Sequence, residues 1–310
     1  MDVAEWQTRL EETFLWRGIV GGRIVDIAAV EKECGLLAVQ TFHGHNVLAD
    51  SFMDFYVETL QIAGELALRD AGRDAYPYYR YTLLHYVAMF RRLRAAAILF
   101  TYGYPLDGYA LLRDLKDRAL FLAAVIAGAT TFPALLGLKG AARGAASLPE
   151  EQYEDARKRR RAEQQRVHDL MLGGKSGLAP GELAELRSWE KLFHEEVHGS
   201  HLTMACEGRD WLAGRARLSI GPTFEEISFA TYMNRVGEVG WMLLRTLPFL
   251  QLRARAFGEN WAHKWRVLDE SFRFYVEALE ALGKPIAGAV VAFLEAKFPF
   301  SPDTAYTEPT

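Results

Sequence analysis

Apolar residues recur along this chain at intervals of three and four, and the strict alternation of a half-buried strand is nearly absent. Within residues 4–16, Trp6, Leu10 and Phe14 fall at i, i+4 and i+8, the stripe of an amphipathic helix. A glycine-containing break follows at 18–22, and residues 23–39 read equally as a short helix or one isolated strand. Residues 46–70 are helical again, with Phe52, Tyr56, Leu60 and Ala63 on one side. His43-Gly44-His45-Asn46 reads as the junction before that helix, with Asn46 as its cap. A helix over 78–102 should stop at Gly103 with Pro105 just beyond, and the next, over 106–127, should return antiparallel to it. A charged helix over 150–172 leaves through Gly173-Gly174-Lys175-Ser176-Gly177. Pro180 then opens a helix that continues towards Trp211. Helices over 223–250, 260–282 and 285–298 complete the pattern.

This pattern predicts an all-α bundle of about eight to ten helices without an extended sheet. Residues 1–298 form one bundle in this reading, with a candidate sub-boundary in the Gly- and Ala-rich stretch near 140–148. Residues 299–310, with three prolines, are expected to be an extended tail.

Composition removes several function classes. Half of the 310 residues are hydrophobic and a quarter charged, which is ordinary for a packed core. A net charge of −4 offers no overall attraction to nucleic acid or to an anionic membrane. The start MDVAEWQTRLEETF lacks the basic and apolar regions of a secretory signal, and the two cysteines, Cys34 and Cys206, have no metal-type spacing. Both read as reduced core thiols, which places the chain in the cytoplasm. Residues 119–138 are long and apolar enough to span a bilayer. Gly128, Thr130, Thr131 and Pro133 interrupt them, so they read as a buried helix end, a turn at Thr131-Phe132-Pro133 and a short apolar segment, with no membrane partner.

The segment FRRLRAAAILFTYGYPLDGYALLRDLKDRALFLAAVI, residues 90–126, contains Leu111, Arg113, Leu115 and Asp117 in the order L-x-R-x-L-x-[DE]. On a later helix, His198-Gly199-Ser200 places a small polar residue just after a histidine. In these two motifs the chain resembles a widespread group of uncharacterised bacterial all-helical proteins, in which the acidic position is more often glutamate. The resemblance implies an all-α fold and a bacterial defence or stress setting, and it implies no activity. Arg113 and Asp117, at i and i+4, can pair on one helix face, where they would pin a neighbouring helix or orient a ligand.

The stretch RSWEKLFHEEVHGSH, residues 187–201, carries the strongest candidate chemistry. Its His194-Glu195-Glu196-Val197-His198 has the H-E-x-x-H spacing of zinc peptidases, in which two histidines hold the metal and the glutamate activates water. Arg187, Glu190, His194, His198 and His201 fall within an arc of about 80°, and Trp189, Phe193, Val197 and Met204 form an adjacent apolar face. The catalytic candidates are therefore Glu190, His194, Glu195 and His198, and the ligand-binding candidates are Arg113, Asp117, Arg187 and His201. His194 and His198 are the candidate metal ligands. Against zinc hydrolysis stand the charge of Glu196 at the third motif position and the lack of a clear third ligand, with Glu207, Glu225 and Glu226 available only by default. A polar helix flank hydrogen-bonded to neighbouring helices is favoured over either chemical reading. No cofactor is required by the sequence, and zinc is the metal the motif would accept.

The most basic stretch, Arg157 to Arg161 with Arg166 and His168, follows Glu150, Glu151, Glu154 and Asp155. That order suits the helix dipole, so a solvated, salt-bridged helix is favoured over a phosphate-binding surface. A nucleic-acid surface there would use Arg159, Arg160 and Arg161. Helical ribonucleases place an arginine and a histidine on one helix with four to six residues between them, as Arg80/His85, Arg161/His168 and Arg187/His194 do here, but that spacing arises readily by chance. Four functions follow as expectations: a defence or stress effector with a semi-buried Arg/Asp/Glu/His site, a metal-dependent hydrolase, an Arg/His ribonuclease, or a scaffold that self-associates through helix packing.

Overall fold

Helix after helix turns its apolar stripe onto one shared core, in which the central element is the helix containing Leu112, Leu115 and Ala119. The structure, a computed structural model, describes residues 23–69, 79–135, 150–197, 226–251, 256–281 and 286–304, with a few isolated positions elsewhere. In chain order the elements are α1 (Arg23–Thr41), α2 (His43–Arg69), α3 (Tyr79–Thr101), α4 (Pro105–Ile126) and the short α5 (Phe132–Leu135). They are followed by α6 (Glu150–Met171), α7 (Pro180–Val197), α8 (Glu226–Thr246), α9 (Glu259–Ala281) and α10 (Ile286–Lys297). No strand occurs among the described residues, so the protein is an all-α multi-helix bundle. No helix among them is long and apolar enough to cross a membrane.

Most of the predicted helices lie within a few residues of their expected bounds, and the departures have local causes. Residues 23–39, ambiguous by pattern, belong to α1, which buries Cys34 and Ala38. Asn46 caps the other helix: its side-chain amide donates to the Ala38 carbonyl at 3.2 Å, closing the end of α1 within α2. Gly103 makes the expected stop at φ 87°, and Pro105 opens α4. A side chain at Gly103 would meet Pro222 at 2.7 Å and Cys34 at 3.1 Å, so close approach and left-handed backbone both favour glycine. Thr131 accepts the Ala134 amide at 3.3 Å and leads the chain into α5, where a turn was expected. Ala119, Leu120 and residues 122–125 are buried within α4, the place expected for the first part of the apolar run.

The helix expected over 223–250 stops earlier, at Thr246, and continues as a 3-10 turn over Leu247–Leu250. Pro248 is the cause, because it lacks the amide hydrogen that would bond to the Leu244 carbonyl four residues back. Trp265 of α9 supplies the missing donor, with Nε1 2.9 Å from that carbonyl. Tyr86 and Tyr79 of α3 do the same for Thr246 and Leu250, at 2.6 and 2.7 Å. The expected tail is also partly tied down. Phe298 and Phe300 are buried, Gln251 donates to the Pro302 carbonyl at 3.0 Å, and Arg266 pairs with Asp303 at 3.1 Å. The candidate boundary near 140–148 lies outside the described residues.

Candidate functional site

Helix α4 packs against α3, α6, α7 and α8, so any polar residue on its inward side must find a partner there. Lys116 is such a residue. It lies among Leu112, Leu115, Ala119 and Ala123 on the core face of α4 and is only 1% exposed. Its ammonium bonds to one carboxylate oxygen of Glu190 on α7 and stands 3.5 Å from Asp117. The Trp189 ring lies under the same ammonium at 5.3 Å, a cation–π contact. The second oxygen of Glu190 faces His168 Nε2 of α6 at 3.6 Å. Three helices thus contribute one titratable row, Asp117–Lys116–Glu190–His168, with Asp117 and His168 at its more exposed ends.

Local sequence places these groups. Pro180 begins α7, and Glu182 reaches back to the Ala179 amide at 3.0 Å, one half of a capping box. With that start fixed, Leu186 and Trp189 face the core and Glu190 sits at its edge. On α6, Val167 and Met171 are buried and His168 follows Val167 around the edge of the same face. Trp189 joins the row to a second buried pair: its Nε1 donates to Glu238 of α8 at 2.6 Å, and Arg235 bonds to both oxygens of Glu238 at 2.9 and 3.2 Å.

The electrostatics separate the two carboxylates. Burial raises Asp117 above its ordinary value; Lys116 opposes this, Glu190 adds to it, and Arg113 opposes it more weakly. Burial also works to raise Glu190, but His168 and Lys116 outweigh it and hold the group below its ordinary value. The Glu190 carboxylate in turn raises His168, with burial acting in the opposite direction. A carboxyl that keeps its proton more readily therefore shares an ammonium with one that gives it up more readily.

The structure brings Asp117 and Glu190 together through Lys116 and keeps the charge of Arg113 near Asp117. It divides the polar stripe of α7, because Glu190 is half-buried whereas Arg187 and His194 are exposed. His198, His201 and the side chain of Glu195 lie outside the described residues, so the second metal-ligand position does too. Among the described residues no group of three or more His, Cys, Asp or Glu is arranged to hold a metal ion. On α6, Arg159 donates to the Gly137 carbonyl at 2.9 Å and Arg166 donates to the Ala129 carbonyl at 2.7 Å, while Arg160 and Arg161 are exposed. Of the arginine and histidine pairs, His85 is largely buried beside Phe132, and Arg161 and His168 occupy an exposed and a half-buried position.

Lys116 and the pairing role of His168 were missed by sequence reasoning. A lysine at a core position between Leu112, Leu115 and Ala119 is the signal that could have found the first, because a buried ammonium needs a carboxylate. No local pattern marks His168, whose partner comes from another helix. No family model, curated protein or solved structure matches the chain.

Proposed function

We propose that the row Asp117–Lys116–Glu190–His168 is an acid–base site that receives a small polar ligand, and that the protein acts through it as a bacterial defence or stress effector. The observation that supports this reading is the opposed titration of two carboxylates on one buried ammonium, with Asp117 raised and Glu190 lowered. Environments that push neighbouring groups apart are how a fold assigns acid and base roles. In this reading Asp117 is the carboxyl that takes up a proton more readily, and Glu190 holds Lys116 and His168. Asp117 and His168 meet the ligand from the more exposed ends of the row, with the charge of Arg113 near Asp117. The defence or stress setting rests on the family resemblance and has the helical fold as its background.

A bacterial host expressing the chain, challenged with phage or with oxidative or heat stress, tests this reading. Wild-type expression should change survival, and Asp117→Asn and Glu190→Gln should abolish the change while circular dichroism shows both variants folded. Equal survival with wild-type protein and with either folded variant would remove the site from the function.

A further inference from the structure

On the flank of α4 away from Lys116, Asp114 and Arg118 stand one turn apart and face Arg92 of α3. One carboxylate oxygen serves both guanidinium groups. Arg118 Nε donates to Asp114 Oδ2 at 2.7 Å, and Arg92 Nε lies 2.6 Å from the same atom. Arg92 also donates through Nη1 to the Ala88 carbonyl at 3.3 Å. Among the described residues Arg118 makes its hydrogen bond through Nε. Among the described residues one carboxylate faces these two guanidinium groups, which leaves the cluster locally positive. The site is partly open, with Arg92, Arg118 and Asp114 at 36%, 28% and 42% side-chain exposure.

His85 stands two turns before Arg92 on α3 and so falls on the same face of that helix. Its ring meets Phe132 at 6.1 Å, and burial, followed by the charge of Arg118, pushes it down to about 4. Asp114 opposes that shift and Arg92 adds to it, so both guanidinium groups and the carboxylate lie within its electrostatic reach. At neutral pH the imidazole is uncharged and offers one donor and one acceptor.

We propose that Arg92, Arg118 and His85 form a binding site for a compact oxyanion of the phosphate class, with Asp114 holding the two guanidinium groups together. Guanidinium forks match the oxygens of phosphate in pairs, and an arriving anion relieves the repulsion that a single carboxylate leaves between two cations. A tetrahedral oxyanion has enough oxygens to meet both forks and the imidazole at once, whereas a carboxylate has two. This site is separate from the row at Lys116 and does not depend on the function proposed for that row.

Inorganic phosphate titrated into the full chain at constant ionic strength tests the site. The readout is the imidazole NMR signal of His85, assigned by its loss in His85→Gln. A saturable shift with Kd at or below about 1 mM is expected, weakened at least tenfold in Arg118→Gln. Should Arg118→Gln fail to fold, Arg118→Lys takes its place, because it keeps the charge, lacks the fork and should weaken binding in the same direction. Three results would each overturn the proposal: no saturable shift, the same shift with chloride, or undiminished binding in the folded arginine variant. The second would mean salt screening and the third an anion bound elsewhere.

Discussion

Among the partners of Lys116 in the described residues are two carboxylates and one aromatic face, and it meets almost no water. Removing its charge leaves Glu190 half-buried beside Asp117 with His168 as the nearest remaining counter-charge, and breaking a buried pair costs more than making it gains. Lys116→Met preserves the volume of the stem, so the loss isolates the charge. Urea unfolding at pH 7 should show a destabilisation of about 2–3 kcal/mol, below the fully buried case because Glu190 and Asp117 keep some water. A loss under about 0.5 kcal/mol would mean that the ammonium is replaceable by packing alone. The residues of this site were unequally legible in the sequence. Asp117 and Glu190 could be named because each lies on a polar helical stripe, and helical spacing is a local property. That the two meet through Lys116 depends on how α4 docks on α7, which no spacing within either helix encodes.

Helix boundaries were legible where the chain itself ends the helix and obscure where another element does so. Gly103 with Pro105, and Pro180 with Glu182, carry their own stop and start chemistry. The end of α8 follows from Pro248, yet its stability comes from α3 and α9, whose Tyr86 and Trp265 donate to the carbonyls left open there. The same reasoning explains the ambiguity of residues 23–39, because the burial of Cys34 and Ala38 against neighbouring helices is a tertiary fact. It also explains the docking of residues 299–304, whose contacts with Gln251 and Arg266 span tens of residues. Trp265→Phe should keep most of the ring packing and leave the Leu244 carbonyl buried without its donor. A loss of about 1–3 kcal/mol in thermal or urea unfolding is expected, the cost of an unsatisfied buried group. If Trp265→Phe were as stable as the wild type, water or a rearranged turn would be satisfying that carbonyl.

At the scale of the whole molecule, histidines with opposite shifts shape the pH range over which the bundle is most stable: burial lowers His85 and His45, and Glu190 raises His168. His85 is held down to about 4 by burial and by Arg118, with Asp114 opposing and Arg92 reinforcing the shift, whereas its ordinary value is 6.5. As pH falls below 6.5 the unfolded chain takes up a proton there that the folded chain refuses until about 4, so stability is lost across that window. The loss is on the order of 3 kcal/mol at its lower end. Glu190, lowered against the pull of burial by His168 and Lys116, contributes stability that is present above 4.5 and lost as pH falls through its folded value, which extends the acid limb. Asp117 acts in the opposite direction, since its raised folded value lets the native state bind a proton first. On the alkaline side, His168 is raised by Glu190, so its stabilisation is complete below 6.5 and lost as pH rises through its folded value. That limb should be the shallower one, because His168 is 39% exposed and its pairing is screened by water. Stability should therefore peak near 6.5 and fall more steeply towards acid. Urea unfolding from pH 4 to 8 checks both limbs, in buffers free of phosphate because an anion beside Arg92 and Arg118 would raise His85. His85→Leu should flatten the decline between 6.5 and 4, and His168→Asn should flatten the alkaline limb alone. An acid limb unchanged in His85→Leu would transfer that decline to His45, which burial also lowers, and to Glu190.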